Sequence, residues 1–360
     1  RDLVVTFELK ESAEPQIYVE QSDTYNTMAL MLSIVPDLPA TETAGPPQEY
    51  IFLVDRSGSM DDKVKQVRLA LGAVLELLPL GTLFNFVGYG TNYVPLFSSS
   101  QLIDTHLTQG LKYASSLQAD MGGTEVLPAL QFVLTSLPPN EGYQRNIFLF
   151  TDGQVSNTQQ VINFVSANAG QNRVYTLGIG AHASTELVNG VARAGLGTAE
   201  FVDGTSALAV QSAIQSQLNV ALLPVLTDIQ LEWGLVSDVG DSQQAPYVLP
   251  LLANGKRFLV YFVTSVRTPP LSISLSASIS GTNQIVEYTI LQSSMVFLND
   301  NNNLGGTDPI SSSSLIHKMA GRSMIRDLEE GRSKFHAEER SYEDIRGEIV
   351  RLGLLYQLPS

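Results

Sequence analysis

Residues 51–60 read Ile51-Phe-Leu-Val-Asp55-Arg56-Ser57-Gly58-Ser59-Met60. Four apolar residues stop at a carboxylate, and two hydroxyls follow at alternate positions. An unbroken apolar run of this length fits a strand buried on both faces. Such a strand would deliver Asp55, Ser57 and Ser59 into one tight loop, with Gly58 allowing the turn. All three side chains are hard oxygen donors of the kind that Mg²⁺ or Ca²⁺ prefers. Taken singly, each has a plainer explanation, since Ser caps helices and Asp ends strands.

Two further stretches bear on that choice. Residues 121–130 read Met121-Gly-Gly-Thr124-Glu-Val-Leu-Pro-Ala-Leu130, a Thr in a Gly-rich turn before a helical pattern. Residues 147–153 read Ile147-Phe-Leu-Phe-Thr-Asp152-Gly153, another buried strand ending in a carboxylate. In an open α/β sheet, ligands bind beyond the carboxyl ends of the strands, so the three loops can converge on one point.

The three stretches, in this order, resemble the metal-ion-dependent adhesion site of von Willebrand factor A (VWA) domains, over residues 48–223. The resemblance implies that Ser57, Ser59 and Thr124 ligate a metal through their hydroxyls. Asp55 and Asp152 would complete the shell directly or through water and orient the hydroxyls. The implied ion is Mg²⁺, with Ca²⁺ or Mn²⁺ as alternatives. The implied partner is a protein that offers an Asp or Glu carboxylate to the ion, and the implied activity is binding without catalysis. Asp61 and Asp62 follow the loop, either as outer groups of the site or as acids in a first helical turn. Arg56 lies inside the loop and is expected to be exposed, either steering acidic partners or simply solvated.

Around this centre the pattern alternates between strand and helix. Strands are expected at 50–55, 83–88, 146–151, 173–179 and 199–203, with Val94–Phe97 as a short antiparallel edge. Helices are expected at 61–78, 101–118, 125–136, 157–168, 184–194 and 206–221. The first repeats Val64, Val67, Leu71, Val74, Leu75 and Leu78 at three- and four-residue intervals, an apolar face. The fold class is therefore α/β: a doubly wound, mostly parallel sheet covered on both sides.

The flanks differ. Residues 3–9 and 28–35 read as strands, followed by a Pro-, Thr- and Ala-rich linker at 36–48. After Leu223, strands are expected at 226–233, 246–250, 256–264, 271–278 and 284–290, a β-sandwich that would recruit the N-terminal strands. The Asn-, Gly- and Ser-rich residues 299–314 read as a linker, and 313–330 and 338–354 as helices. The expected domains are 1–47, strands of a β-domain with a linker; 48–223, the VWA domain; 224–298, the β-sandwich; and 299–360, a linker with C-terminal helices. This order, with Leu315–Leu328, resembles proteins carrying a VIT region followed by a VWA domain. They include VWA5A-like proteins, inter-α-trypsin inhibitor heavy chains and the vault poly(ADP-ribose) polymerase. The chain reads as a piece of a longer protein.

Composition narrows the partners. The 360 residues are 44% apolar and carry a formal net charge of -15, which disfavours nucleic acid and anionic membranes. No apolar run reaches the roughly 18–20 residues needed to span a bilayer. There is no cysteine, so disulfides and thiol chemistry are excluded. That absence and the lack of an Asn-x-Ser/Thr sequon lean towards a cytoplasmic protein, with a secreted one as the alternative.

Other readings carry less. Gly178-Ile-Gly180-Ala-His-Ala183, with Asp203 about twenty residues on, mimics a dinucleotide fingerprint but follows a late strand. The histidines, His106, His182, His317 and His336, are scattered, which disfavours zinc or a catalytic triad. Trp233 reads as core. Mg²⁺ beside two Asp could assist hydrolysis, but no general base stands in the site loops. Two binding alternatives remain: a non-catalytic module of a larger enzyme, and a scaffold that self-associates through its own acids.

Overall fold

A computed structural model describes residues 14–38, 47–138, 140–153, 155–168, 172–235, 242–280, 284–298 and 314–358. In chain order the elements begin with β1 (Gln16–Ser22), β2 (Thr27–Ile34), β3 (Gln48–Asp55), α1 (Val64–Leu75), β4 (Leu83–Tyr89), β5 (Tyr93–Pro95) and β6 (Gln101–Leu102). Next come α2 (Ile103–Ser116), α3 (Val126–Gln131), β7 (Gln144–Thr151), α4 (Thr158–Asn168), β8 (Arg173–Ile179), α5 (Thr185–Ala194), β9 (Leu196–Val202) and α6 (Ala207–Leu222). The remainder are β10 (Val225–Glu232), β11 (Gln243–Ala245), β12 (Leu252–Ala253), β13 (Phe258–Thr264), β14 (Ser272–Ile279), β15 (Ile285–Leu291), β16 (Val296–Leu298), α7 (Leu315–Glu329), α8 (Lys334–Ala337) and α9 (Tyr342–Tyr356). They form two compact units, one holding β3–β9 with α1–α6, the other holding the rest.

In the first unit the sheet order is β5-β4-β3-β7-β8-β9, with β6 also beside β4. Strands β3, β4, β7, β8 and β9 are parallel, and β5 and β6 run antiparallel to β4. The central strands β3, β4, β7 and β8 are buried nearly throughout, so both of their faces need cover. Alternation divides them cleanly. Tyr50, Phe52 and Val54 pack with α1, α2 and α6, while Ile51 and Leu53 pack with α3, α4 and α5. On the first face aromatic rings run across the sheet, with Phe148 stacked on Tyr175 at 4.9 Å and tilted against Phe52 at 5.6 Å. The doubly wound sheet expected from sequence is what the chain forms.

The second unit is a sandwich. A five-stranded sheet ordered β11-β13-β2-β1-β16 faces a four-stranded sheet ordered β12-β10-β14-β15. Alternate residues such as Ile17, Val19, Leu30, Leu32, Val260, Ile273 and Leu275 fill the space between them. The opposite face of the larger sheet, with Ala29, Tyr261 and Val263, is covered by Ile316, Ala320, Met324 and Ile325 of α7 and Leu352 and Tyr356 of α9.

Several expectations change. The strand at 3–9, most of the 36–48 linker and nearly all of the 299–314 linker lie outside the described residues. Strand β1 was unexpected, because Gln16, Glu20 and Gln21 dilute its alternation. Only Ile17 and Val19 signal it. Residues 246–250 are not a strand. Pro246 and Pro250 have no N–H to give a ladder, and pairing shifts to β11 and β12. Helix α1 begins at Val64 rather than at 61, so Asp61 and Asp62 precede it instead of occupying its first turn.

A buried ion pair ties the start of the parallel sheet. The Glu49 carboxylate accepts from Arg145 Nε at 2.8 Å, Ser100 Oγ at 2.5 Å and Asn140 Nδ2 at 2.9 Å. The same guanidinium donates to the carbonyls of Val133, Leu137 and Pro138. Glu49→Ala would leave the buried Arg145 charge unpaired. We expect it to lower unfolding free energy by about 3–5 kcal/mol, measured by urea denaturation of the wild type and the variant.

Candidate functional site

Strand β3 ends at Asp55, which is buried at the carboxyl edge of the sheet. Asp55 Oδ1 accepts the Ser57 N–H at 2.8 Å, and Oδ2 accepts the Thr151 hydroxyl at 2.9 Å. That pairing fixes the first loop against the end of β7. Ser57 Oγ lies 3.0 Å from Ser59 Oγ, and Ser59 Oγ donates to Asp152 Oδ1 at 2.8 Å. Thr124 is drawn to the same place: a Cβ at Gly153 would stand 3.3 Å from Thr124 Oγ1. The five residues singled out from sequence thus form one cluster. Asp55, Ser57 and Asp152 are buried, Thr124 is half-buried and Ser59 is exposed, so the carboxylates lie inside and the mouth carries hydroxyls.

Backbone bonds hold the loops together. Gly58 N–H donates to Gly122 O at 2.9 Å, and Met121 N–H donates to Arg56 O at 3.0 Å. A further loop, after β4, completes the set. Thr91 N–H donates to Met121 O at 2.6 Å, Glu125 N–H to Gly90 O at 2.8 Å, and Gly123 N–H to Thr91 Oγ1 at 3.0 Å. Gly122 has φ +80°, and a Cβ there would sit 2.7 Å from Thr91 Oγ1, so this turn requires glycine twice over. Sequence reading missed the Gly90–Thr91 loop. Its signal was a glycine directly after a buried strand that neighbours β3.

A family model described as von Willebrand factor type A domain matches residues 48–201. This region is a von Willebrand factor type A domain. The chain is 29% identical over 367 residues to a von Willebrand factor A domain-containing protein of Dictyostelium discoideum, covering 100% of this chain and 41% of that one. It is 28% identical over 376 residues to von Willebrand factor A domain-containing protein 5A of Rattus norvegicus, covering 99% and 43%. It therefore spans less than half the length of these relatives. Among solved structures, a von Willebrand factor type A protein from Catenulispora acidiphila superposes with TM-score 0.52 and 13% identity, over 97% of this chain and 89% of that one. This last likeness concerns the fold.

Arg56 corrects an expectation. Its side chain is only 15% exposed, pairs with Asp120 at 2.6 Å and donates through Nε to Gln118 O at 3.0 Å. It fastens the first loop of the VWA domain to the segment before the second, and is not held out to steer a partner. Lys63, not foreseen from sequence, reaches the cluster. Its Nζ lies 3.1 Å from Asp152 Oδ2, donates to Ser59 O at 3.0 Å and pairs with Asp62 Oδ1 at 2.6 Å.

Other candidates fall away. A Cβ at Gly178 would stand 2.7 Å from the Phe201 ring, so that glycine of the dinucleotide-like motif serves packing. His317 is fully buried, with Nδ1 2.7 Å from Glu20 Oε2 and Nε2 3.0 Å from Thr27 Oγ1. That triad-like row was unforeseen. With the imidazole closed to solvent and its own backbone N–H bonded to Glu20 at 3.0 Å, it ties α7 to the β1–β2 hairpin. Trp233 stacks on Phe262 at 4.9 Å as part of the sandwich core. Among the described residues no three His, Asp or Glu side chains are grouped to hold a metal, so any ion at the VWA cluster must lean on hydroxyls. Nor, among those residues, is any helix long and apolar enough to cross a membrane.

Burial pushes the Asp55 carboxyl above its usual range. Bonds from Ser57 and Thr151 pull it back, and the neighbouring Asp152 charge adds to the rise. A carboxyl with a raised folded pKa costs stability once the unfolded chain ionises, above about pH 3.9. That cost is complete above the folded pKa and absent well below pH 3.9. Asp55→Asn removes it while keeping the shape. In chelator, the variant's thermal midpoint should exceed that of the wild type at pH 7, and the gain should vanish near pH 3, as read by scanning calorimetry.

Proposed function

We propose that the VWA domain is a divalent-cation-dependent protein-binding module. The observation that carries this is the convergence of Asp55, Ser57, Ser59, Thr124 and Asp152 into one cluster of hard oxygens at the carboxyl edge of the sheet. The donor set fits Mg²⁺, Mn²⁺ or Ca²⁺, all of which take oxygen ligands. Ser57, Ser59 and Thr124 would hold the ion through their hydroxyls, with Asp55 and Asp152 directly or through water. A cation held by two carboxylates and neutral hydroxyls stays electrophilic and keeps an open position for an acidic side chain of a partner.

The chain's own residues then do three things. The Asp55 bonds to Ser57 N and Thr151 Oγ1 orient the first loop. Asp152 turns the Ser59 hydroxyl. The backbone ties between Gly58, Gly122 and Thr91 keep the loops in register. We assign the module no catalysis of its own: these loops carry no His, and their one Glu, Glu125, is exposed and bonded to Gly90 O through its backbone N–H. Within the longer relatives, it would serve as a recognition or scaffold part of a larger assembly.

Calorimetric titration of Mg²⁺, Mn²⁺ and Ca²⁺ into chelator-stripped protein tests the reading. One saturable site is expected in the wild type and none in Asp152→Ala or Ser57→Ala, with circular dichroism unchanged. Immobilised acidic peptide should then retain the wild type with metal and release it with EDTA. Equal metal affinity in all three proteins would overturn the assignment.

A further inference from the structure

Lys63 is not an ordinary surface lysine. Its side chain is 18% exposed, and its stem runs beneath two glycine turns, one after β8 and one after β9. Gly180 has φ +94°, and a Cβ there would stand 2.7 Å from Lys63 Cε. Gly204 has φ +77°, and its Cβ would stand 3.3 Å from Lys63 Cγ. Both turns lack a side chain where the lysine stem passes. The ammonium is thereby held against three oxygens, Asp152 Oδ2, Ser59 O and Asp62 Oδ1.

We infer that Lys63 is a built-in counter-cation that competes with the divalent ion for Asp152 and sets how tightly the site holds it. The inference rests on the divalent-cation reading above. Asp152 divides its carboxylate, with Oδ1 taking the Ser59 hydroxyl and Oδ2 facing the ammonium. An ion that needs Asp152 and the Ser59 hydroxyl must approach a positive charge already seated on Asp152 and on the Ser59 carbonyl. Like charges a few ångströms apart in a half-buried site repel strongly. Binding therefore requires the ammonium to withdraw. Asp62 provides the place: it is exposed, it adjoins Lys63 in the chain and it already accepts from Nζ.

The same charge has a use when the ion is absent. Asp55 and Asp152 are both buried, and the Asp152 charge makes the ionisation of Asp55 harder. An ammonium against Asp152 offsets that repulsion. The VWA domain can then give up its ion without losing the loops that hold it, so that binding follows ion availability and remains reversible.

Lys63→Met keeps much of the stem and removes the charge. Lys63→Gln does so with a polar end, and Lys63→Arg restores the charge. Mg²⁺ and Mn²⁺ are titrated by calorimetry into each chelator-stripped protein, beside wild type and Asp152→Ala. The Met and Gln variants are expected to bind about tenfold tighter or better, and the Arg variant close to wild type. Chelation should also lower the thermal midpoint more in the Met and Gln variants than in the wild type. A variant folded only with metal present counts with these results. Unchanged or weaker binding by a folded neutral variant would overturn the inference and leave the metal site standing. No binding by any protein, wild type included, would remove the metal site and this inference with it.

Discussion

Asp55 is buried at the carboxyl end of the central parallel strand, and its two oxygens take the Ser57 N–H and the Thr151 hydroxyl. A carboxylate in that position must be bonded on both oxygens or it destabilises the fold. Satisfying it fixes the turn of the first loop and joins that loop to the end of β7. Ser57 and Ser59 then face the following Asp152. The second loop has no such anchor. It is brought in by backbone bonds to Arg56, Gly58 and Thr91, and by the glycine geometry at Gly122. Little of the sheet's apolar core is spent on positioning. The core supplies the stiffness and the edge supplies the chemistry.

The two ends of the parallel sheet treat charge differently. At the start of β3, Glu49 meets Arg145 in a closed network in which the guanidinium also bonds three carbonyls. That pair is satisfied and has no evident use beyond joining strands. At the far end, Asp55 and Asp152 lie near one another, and the Asp55 carboxyl is pushed up by burial and by its neighbour. The partial remedy is Lys63. Its own burial works to lower its pKa, yet the Asp62 and Asp152 carboxylates outweigh this and raise it. A like-charge pair only partly offset at one end, beside a satisfied ion pair at the other, divides the two edges of a single sheet.

How far these features could be read from sequence depends on whether they are local. The grouping of Asp55, Ser57, Ser59, Thr124 and Asp152 was legible because all five lie at strand ends or in the loops just beyond them or before a helix, and the apolar runs beside them mark where those elements stop. The doubly wound sheet was legible for the same reason. Strand β1 was not, since Glu20 sits in it to meet His317 nearly three hundred residues later. Arg56 was misread because its partners, Gln118 and Asp120, lie in another loop. Lys63 could not be found at all. On the helical wheel it is one more polar residue, and its meaning comes from the absence of side chains at Gly180 and Gly204.

A count of charges gives the cluster its character. Asp55, Asp152 and Asp62 contribute three carboxylates, of which Asp62 is exposed and already paired. Lys63 contributes one ammonium, and the hydroxyls contribute none. A divalent ion placed among these groups would push the ammonium from Asp152 onto Asp62, and would meet only two close carboxylates with that ammonium still nearby. It would remain an electrophile in search of another anion. A third buried carboxylate in place of a serine would hold an ion more firmly and leave it less to offer. On the proposed reading, the serines, the threonine and the lysine would all press the same way, towards an ion held lightly enough to need a partner's acid.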